Sequence, residues 1–297
     1  MCGIAGILAR SGRVDCESLL SAMRALRHRG PDGEGHWLSG DSSIGLAHTR
    51  LSIIDLNTGS QPIANEDDTI QIVMNGEFYG FEQIRRDLEA KGHRFRTKSD
   101  AEIALHLYED EGTACLSSLR GEFAFIIWDD RQKRLFAARD RFGIKPLFYA
   151  DNAAALYLAS ESKALLAAGV PARWDKDVVY DLLFACVSQD RTIFNGVRQI
   201  PPGHFLLAYP GSAIELHRYW DADYPLEERN GDRSRDPREW IEGVRMLLEE
   251  SVRLRLRADV PVGCLLSGGL DSAVALGIAT TQSPDALQAY TITFDHP

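Results

Sequence analysis

MCGIAGI, residues 1–7, places a thiol directly after the initiator methionine and then runs into a small, apolar strand. The side chain of Cys2 is small enough to let Met1 be trimmed from a nascent chain. Cys2 would then carry a thiol and a free α-amine on adjacent carbons of one residue. The thiol has a reference pKa of about 8.5 and the amine about 7.7–8.0, so roughly a tenth to a sixth of such amines are unprotonated near neutrality. That amine can take the thiol proton, directly or through one water, as N-terminal nucleophiles do. The competing possibility is a cysteine packed as a small hydrophobe in a buried strand. Position 2 alone favours the second.

The chain has 297 residues, which suggests about two domains. With 44% hydrophobic and 26% charged residues it has the composition of an ordinary globular protein. A formal net charge of −10 argues against a dedicated nucleic-acid surface, which needs a basic patch. No run approaches the ~18–20 apolar residues of a membrane span, and the N-terminus lacks the pattern of a secretory signal. A cytoplasmic protein with neither nucleic acid nor membrane as partner is therefore expected. Cys2, Cys16, Cys115, Cys186 and Cys264 form no C-x-x-C pair. All but Cys2 read as small buried hydrophobes in a reducing compartment.

Strand-like runs dominate the first two thirds: CGIAGILA (2–9), SIGLAHTRLSII (43–54), TIQIVM (69–74), HRFRT (93–97), GEFAFIIWDD (121–130), RLFAARD (134–140), ALYLAS (155–160) and HFLLAY (204–209). In GEFAFIIWDD, Phe123, Phe125 and Ile127 point one way, and Ala124, Ile126 and Trp128 the other. Both faces are apolar, which implies a sheet covered on both sides. FEQIRRDLEAKG (81–92) sets Phe81, Ile84 and Leu88 on one helical stripe and ends on Gly92. SDAEIALHLYEDEG (99–112) opens with a capping box, Ser99 three residues before Glu102. Two packed sheets enclosed by helices are expected over residues 2–220. Residues 221–238 have linker composition. Residues 239–297 then read as helix, with Trp240, Val244, Leu247 and Leu248 on one side, strand (VPVGCLL), Gly-rich turn (SGGLDS), helix and strand (AYTITF). That order begins an open parallel α/β domain. Two strands are too few for a normal core, so this second domain reads as cut short.

Five blocks carry a resemblance: MCGIAG, RHRGPDGEG (27–35), AHTRLSIID (47–55), MNGEFYGFEQIRRDLEAKGHRFRTKSDAE (74–102) and LRGEFAFIIWDDRQKRLFAARDRFGIKPLFY (119–149). In this order they resemble the glutaminase domain of class II glutamine amidotransferases, most closely that of glutamine-hydrolysing asparagine synthetases. The resemblance covers nearly all of residues 2–220. It implies a four-layer αββα N-terminal-nucleophile fold, followed by the start of a Rossmann-like ATP-pyrophosphatase domain. It also implies Cys2 as nucleophile, and Asn75 and Gly76 as the hole for the oxyanion. On its own, Asn75-Gly76 after TIQIVM reads as a tight turn. By the same resemblance Arg50 clamps the α-carboxylate of glutamine, a task that suits a planar fork. Asp100, with Glu77, holds its α-ammonium. His28 and His48 read as structural, and no set of residues in the first domain has convincing metal spacing.

Ser267-Gly-Gly-Leu-Asp-Ser272 follows the apolar strand VPVGCLL and lacks the G-x-x-x-x-G-K-[ST] of a Walker loop. A Gly-rich turn opening a helix offers N–H donors to an anion. The hexapeptide resembles the loop of ATP pyrophosphatases. The resemblance puts Leu266 and Ile292 on the adenosine of ATP, and Ser267, Gly268, Gly269, Asp271 and Ser272 around its phosphates and Mg²⁺. The expected protein is asparagine synthetase-like. Glutamine would yield glutamate and ammonia at Cys2, and the ammonia would amidate aspartate activated by ATP as an acyl-AMP. A homodimer is compatible with it. The same architecture acting on another carboxylate is the first alternative, and a non-catalytic chain serving only in binding or assembly is the second.

Overall fold

The computed structural model describes residues 1–186, 188–224, 236–283 and 287–293. The chain divides into two units, Met1–Asp221 and Ala222–Pro297. Most of the expected linker, 225–235, lies outside the described residues.

In the first unit two sheets stack face to face. One runs in the order β10 (Arg198–Gln199), β8 (Phe148–Asp151), β9 (Ala155–Ala159), β1 (Gly3–Ala9), β3 (Ile44–Arg50), β2 (Gly33–Leu38). The other runs β12 (Glu215–Arg218), β11 (His204–Ala208), β7 (Arg134–Arg139), β6 (Gly121–Asp129), β5 (Ile70–Phe78), β4 (Ile63–Ala64). The two-residue period of each strand explains the layers. In β6, Ala124, Ile126 and Trp128 fill the space between the sheets with Ile4, Leu8 and Leu46. Phe123, Phe125 and Ile127 pack outward under α3 (Ala101–Glu111) and α2 (Phe81–Lys91). In β1, Ile4 and Leu8 face the inter-sheet core, whereas Ala5 and Ile7 face α1 (Cys16–Ala25) and α4 (Ser162–Ala167). Helix, sheet, sheet, helix is thus the layer order, the four-layer αββα arrangement of N-terminal-nucleophile enzymes.

The helix ends follow local chemistry. Asp15 caps α1 by accepting from the backbone N–H groups of Glu17 and Ser18, an arrangement typically worth about 0.5–2 kcal/mol. Gly92 closes α2 in the left-handed region at φ 109°, where a Cβ is disfavoured. Three sequence expectations fail locally. HRFRT forms no strand, because carboxylates take its N–H groups: Glu66 accepts from Arg94, and Glu102 from Arg96 and Thr97. That same use of Glu102 undoes the capping box, and Ser99 Oγ accepts from Ala101 N–H instead. Only Cys115 is fully buried among the four cysteines read as hydrophobes. Cys16 and Cys264 are half-buried, and Cys186 is exposed in the segment after α5 (Lys176–Leu183).

The second unit holds α6 (Pro237–Arg255), β13 (Gly263–Leu265), α7 (Leu270–Gln282) and β14 (Gln288–Tyr290). β13 and β14 pair in parallel, Cys264 opposite Ala289. The final strand is shorter than AYTITF, whose Phe294 lies outside the described residues. Two strands and two helices cover little surface. Trp240, Val244, Leu247 and Leu248 on α6 accordingly stay 46–62% exposed.

Candidate active site

The antiparallel register of β1 and β3 sets Gly3 opposite Thr49 and so brings Cys2 beside Arg50. A Cβ on Gly3 would lie 2.6 Å from Thr49 Oγ1 and 2.7 Å from Leu26 Cβ, so the residue after the thiol has no room for a side chain. The Arg29 guanidinium donates to the Cys2 carbonyl (2.8 Å) and pairs with Glu161 (2.8 Å), holding the terminus in place. Leu51 N–H donates to Cys2 Sγ at 3.4 Å. From the other sheet, the end of β5 presents Asn75, Gly76 and Glu77 to the same cavity. Asp100 enters from the N-terminus of α3, its carboxylate accepting from Phe78 N–H at 2.7 Å. All six residues assigned to the glutaminase site therefore line one cavity.

Asn75 and Gly76 do not form a turn. β5 continues through them, with Asn75 opposite Ala124 and Gly76 opposite Phe123 in β6. Gly76 sits at φ 143°, and a Cβ there would come 2.0 Å from the Glu122 carbonyl. Asn75 is wholly buried, yet neither its side-chain nitrogen nor its oxygen has a hydrogen-bond partner. An orphaned buried amide costs about 1–3 kcal/mol. The cost is understandable where a ligand atom completes the bond.

Arg50 is half-buried and donates to the carbonyls of Ile54 and Asp55, which folds the following loop around its guanidinium. Gly59 leaves that guanidinium its space, since a Cβ there would lie 2.5 Å from Nη2. Burial pushes the Asp100 carboxyl up to about 6, helped by the neighbouring Glu77 charge and opposed by the Phe78 N–H bond. Burial likewise raises the Cys2 thiol, with Leu51 N–H, the adjacent terminal amine and Arg50 opposing. The thiol is therefore neutral at physiological pH and needs a base. The terminal amine of Met1 is shifted down, first by burial and then by Arg29 and Lys145.

Lys145 escaped the sequence reading. It lines the cavity, with Nζ 3.2 Å from Glu122 and 3.4 Å from Met1 Sδ. Asp140 folds its loop by accepting from the N–H groups of Phe142, Ile144 and Lys145. The available signal was a lysine inside the apolar run FGIKPLFY. Neither His28 nor His48 lines the cavity. His48 is buried and held near 3, burial being the main cause, so it is neutral and donates through Nε2 to the Met74 carbonyl. His28 meets Glu161 at 3.0 Å on the surface.

In the second unit the SGGLDS segment runs from just past the carboxyl end of β13 into the first turn of α7. Gly268 is left-handed at φ 84°. Ser267 Oγ and Ser272 Oγ lie 3.0 Å apart, closing the loop, and Asp271 stands in the first helical turn. Leu266 N–H donates to the Tyr290 carbonyl, and Thr291 Oγ1 to that of Leu266, which sets Leu266 beside the strand leading to Ile292. Ile292 is 85% exposed. Hydroxyls, a left-handed glycine and a 13-residue helix starting at the carboxyl end of parallel strands suit a phosphate-bearing nucleotide.

Comparison with known proteins agrees with this fold. Residues 1–220 match the model of the glutamine amidotransferase domain, and residues 243–297 that of asparagine synthase. The chain is 39% identical to Amidase chry2 of Gibberella zeae, over 99% of its own length and 47% of that protein. It is 35% identical to asparagine synthetase [glutamine-hydrolyzing] 1 of Bacillus subtilis, over 99% of its length and 46% of the relative. The chain thus spans about half the length of the curated relatives it matches. Among solved structures, a glutamine phosphoribosylpyrophosphate amidotransferase from B. subtilis shares its fold at TM-score 0.55 and 18% identity, covering 98% of this chain and 65% of that one. With Cys2, Arg50, Asn75 and Asp100 gathered at the seam of an αββα fold, the chain belongs to the glutamine amidotransferase family and carries behind that domain a segment of the asparagine synthase type.

Proposed function

We propose that this chain hydrolyses glutamine at Cys2 and that the ammonia serves an ATP-dependent amidation of aspartate. The observation that carries the first half is the orphaned Asn75 amide in the cavity that holds the Cys2 thiol. Once Met1 is removed, the Cys2 amine takes the Sγ proton and the thiolate adds to the side-chain carbonyl carbon of glutamine. The carbonyl oxygen becomes an oxyanion, for which Asn75 Nδ2 and the Gly76 N–H are the donors. The ammonium returns its proton to the leaving nitrogen, ammonia departs, and a thioester remains. Water activated by the same amine hydrolyses the thioester to glutamate. Arg50 opposite the α-carboxylate and Asp100 with Glu77 opposite the α-ammonium would select a free amino acid.

Ser267–Ser272, with Leu266 and Ile292, would hold ATP and its Mg²⁺. ATP supplies activation, turning a carboxylate into an acyl-AMP whose AMP is a good leaving group. Relatives named asparagine synthetases support aspartate as acceptor. The fungal relatives named amidases, at 38–39% identity, favour a second acceptor reading, another carboxylate on the same architecture. Glutamine-dependent pyrophosphate release, screened across carboxylates with the intact gene product, separates the two. Release with aspartate alone supports the first, and release only with another acid supports the second.

Two substitutions test the glutaminase site. Asn75→Ala should lower kcat about 10²–10³-fold, the range for one oxyanion donor, while KM for glutamine changes little. An unchanged kcat would exclude the oxyanion role. Asp100, with its carboxyl near 6, should impose an acid limb on kcat/KM for glutamine, activity falling as pH drops through about 6 and the carboxylate is protonated. Its stability effect runs the other way. A carboxyl with a raised folded-state pKa favours folding most below its unfolded value, and this contribution is lost as pH rises through about 6. Asp100→Asn should therefore melt higher than wild type at pH 8 while losing affinity for glutamine and the acid limb together.

A further inference from the structure

Away from the catalytic cavity, Glu66, His93, His106 and Glu109 each turn one donor atom toward a common point, all within 4.8 Å of one another. Their separation along the chain hides the set: His106 and Glu109 share a face of α3 at i, i+3, whereas Glu66 follows β4 and His93 follows α2. His106 Nδ1 lies 2.9 Å from Glu109 Oε2 and 3.6 Å from Glu66 Oε2. His93 Nδ1 lies 3.3 Å from Glu66 Oε1 and 3.8 Å from Glu109 Oε2. Four donors around a zinc ion at about 2.0–2.1 Å stand about 3.3 Å apart in a tetrahedron, within reach of a set whose donor atoms all lie within 4.8 Å, Glu66 turning Oε1 to His93 and Oε2 to His106.

The groups behind the donors are arranged as metal ligands require. His93 turns its Nε2 to Asp110 Oδ1 at 3.1 Å. His106 turns its Nε2 toward Glu102 at 3.6 Å, and that nitrogen is buried without a hydrogen-bond partner. His93 is thus backed by a carboxylate that favours a proton on Nε2 and a lone pair on Nδ1, and Glu102 stands behind His106 without a hydrogen bond. Glu109 keeps Oε2 for the centre because Asn65 (2.8 Å) and Arg131 (3.0 Å) take Oε1. Two imidazoles and two carboxylates form a charge-balanced set for a borderline-soft divalent ion. The His106 side chain is fully buried and that of Glu66 one-third exposed, so an ion has a way in on the Glu66 side.

We propose that Glu66, His93, His106 and Glu109 form a structural Zn²⁺-type site that clasps α3 to the loops before β5 and after α2. The test is titration of the purified full chain with Zn²⁺ and with Co²⁺. One Zn²⁺ per chain should bind and raise the melting temperature. Co²⁺ should show the visible bands of a tetrahedral ion without sulfur-to-metal charge transfer, which separates this site from Cys2. His93→Gln and Glu66→Gln, both at partly exposed positions, should each weaken Zn²⁺ binding on the order of 100-fold, and Asp110→Asn about 10–100-fold. Asp110→Asn decides the matter if the other two fail to fold. Absence of saturable binding, a thiolate band with Co²⁺, or binding indifferent to these variants would overturn the site and leave the cluster a proton-shared network only.

Discussion

Cys2→Ala should abolish glutamine hydrolysis, with kcat down on the order of 10⁴–10⁶-fold, the scale seen when a catalytic nucleophile is deleted. The size follows from the site. On the proposed reading the remaining groups would still bind glutamine and polarise its carbonyl, but none has a nucleophile at the position that Sγ occupies beside Leu51 N–H. KM should move little, because Arg50, Glu77 and Asp100 stand as before. An electrophilic glutamine analogue should label wild type once, at Cys2, and Cys2→Ala not at all. Because the side chain is small and its strand neighbours are set by the β1–β3 register, the variant should fold normally. Labelling elsewhere, or a variant within tenfold of wild type, would remove Cys2 from the chemistry.

Blocking the terminus should be nearly as damaging as deleting the sulfur. While Met1 is attached, the nitrogen of Cys2 is an amide and accepts no proton. Burial meanwhile raises the thiol, so little thiolate forms unaided. The Met1 side chain also lies in the cavity, its sulfur 3.4 Å from Lys145 Nζ. A chain with a protease-cleavable extension ending just before Cys2 should be silent until cut, then gain activity by about 10³-fold or more, given the 10²–10⁴-fold worth of general-base catalysis and the vacated space. Mass spectrometry of the untagged protein should find Cys2 as first residue. Equal activity before and after cleavage would show that some other group is the base.

Both predictions, and those for Asn75 and Asp100, rest on residues that were legible before any coordinates. The strand alternation of GEFAFIIWDD is a local property, and the two faces of β6 followed it into two different cores. The α2 stripe and its Gly92 cap were legible for the same reason. The site residues were legible through resemblance and not through spacing, since β1, β3, β5 and α3 contribute them from positions 2 to 100. Where side chains compete with the backbone, local reading failed. HRFRT has the composition of a strand, but Glu66 and Glu102 hold its N–H groups, so no ladder forms. Asn75-Gly76 has the composition of a turn, but pairing with β6 keeps it extended.

The sequence by itself determined the layers, because a strand such as β6, apolar at both alternate sets of positions, must be covered on both faces. The resemblance of its blocks also pointed to Cys2 as the candidate nucleophile, which position 2 alone does not. The meetings were decided by the tertiary structure alone. Lys145 reaches the cavity through a loop wound around Asp140, the Asn75 side-chain amide is left without a hydrogen-bond partner, and two histidines with two glutamates converge from three separate elements. Such meetings depend on sheet order and loop path, and these follow from the packing of the whole domain, which no short window of sequence contains.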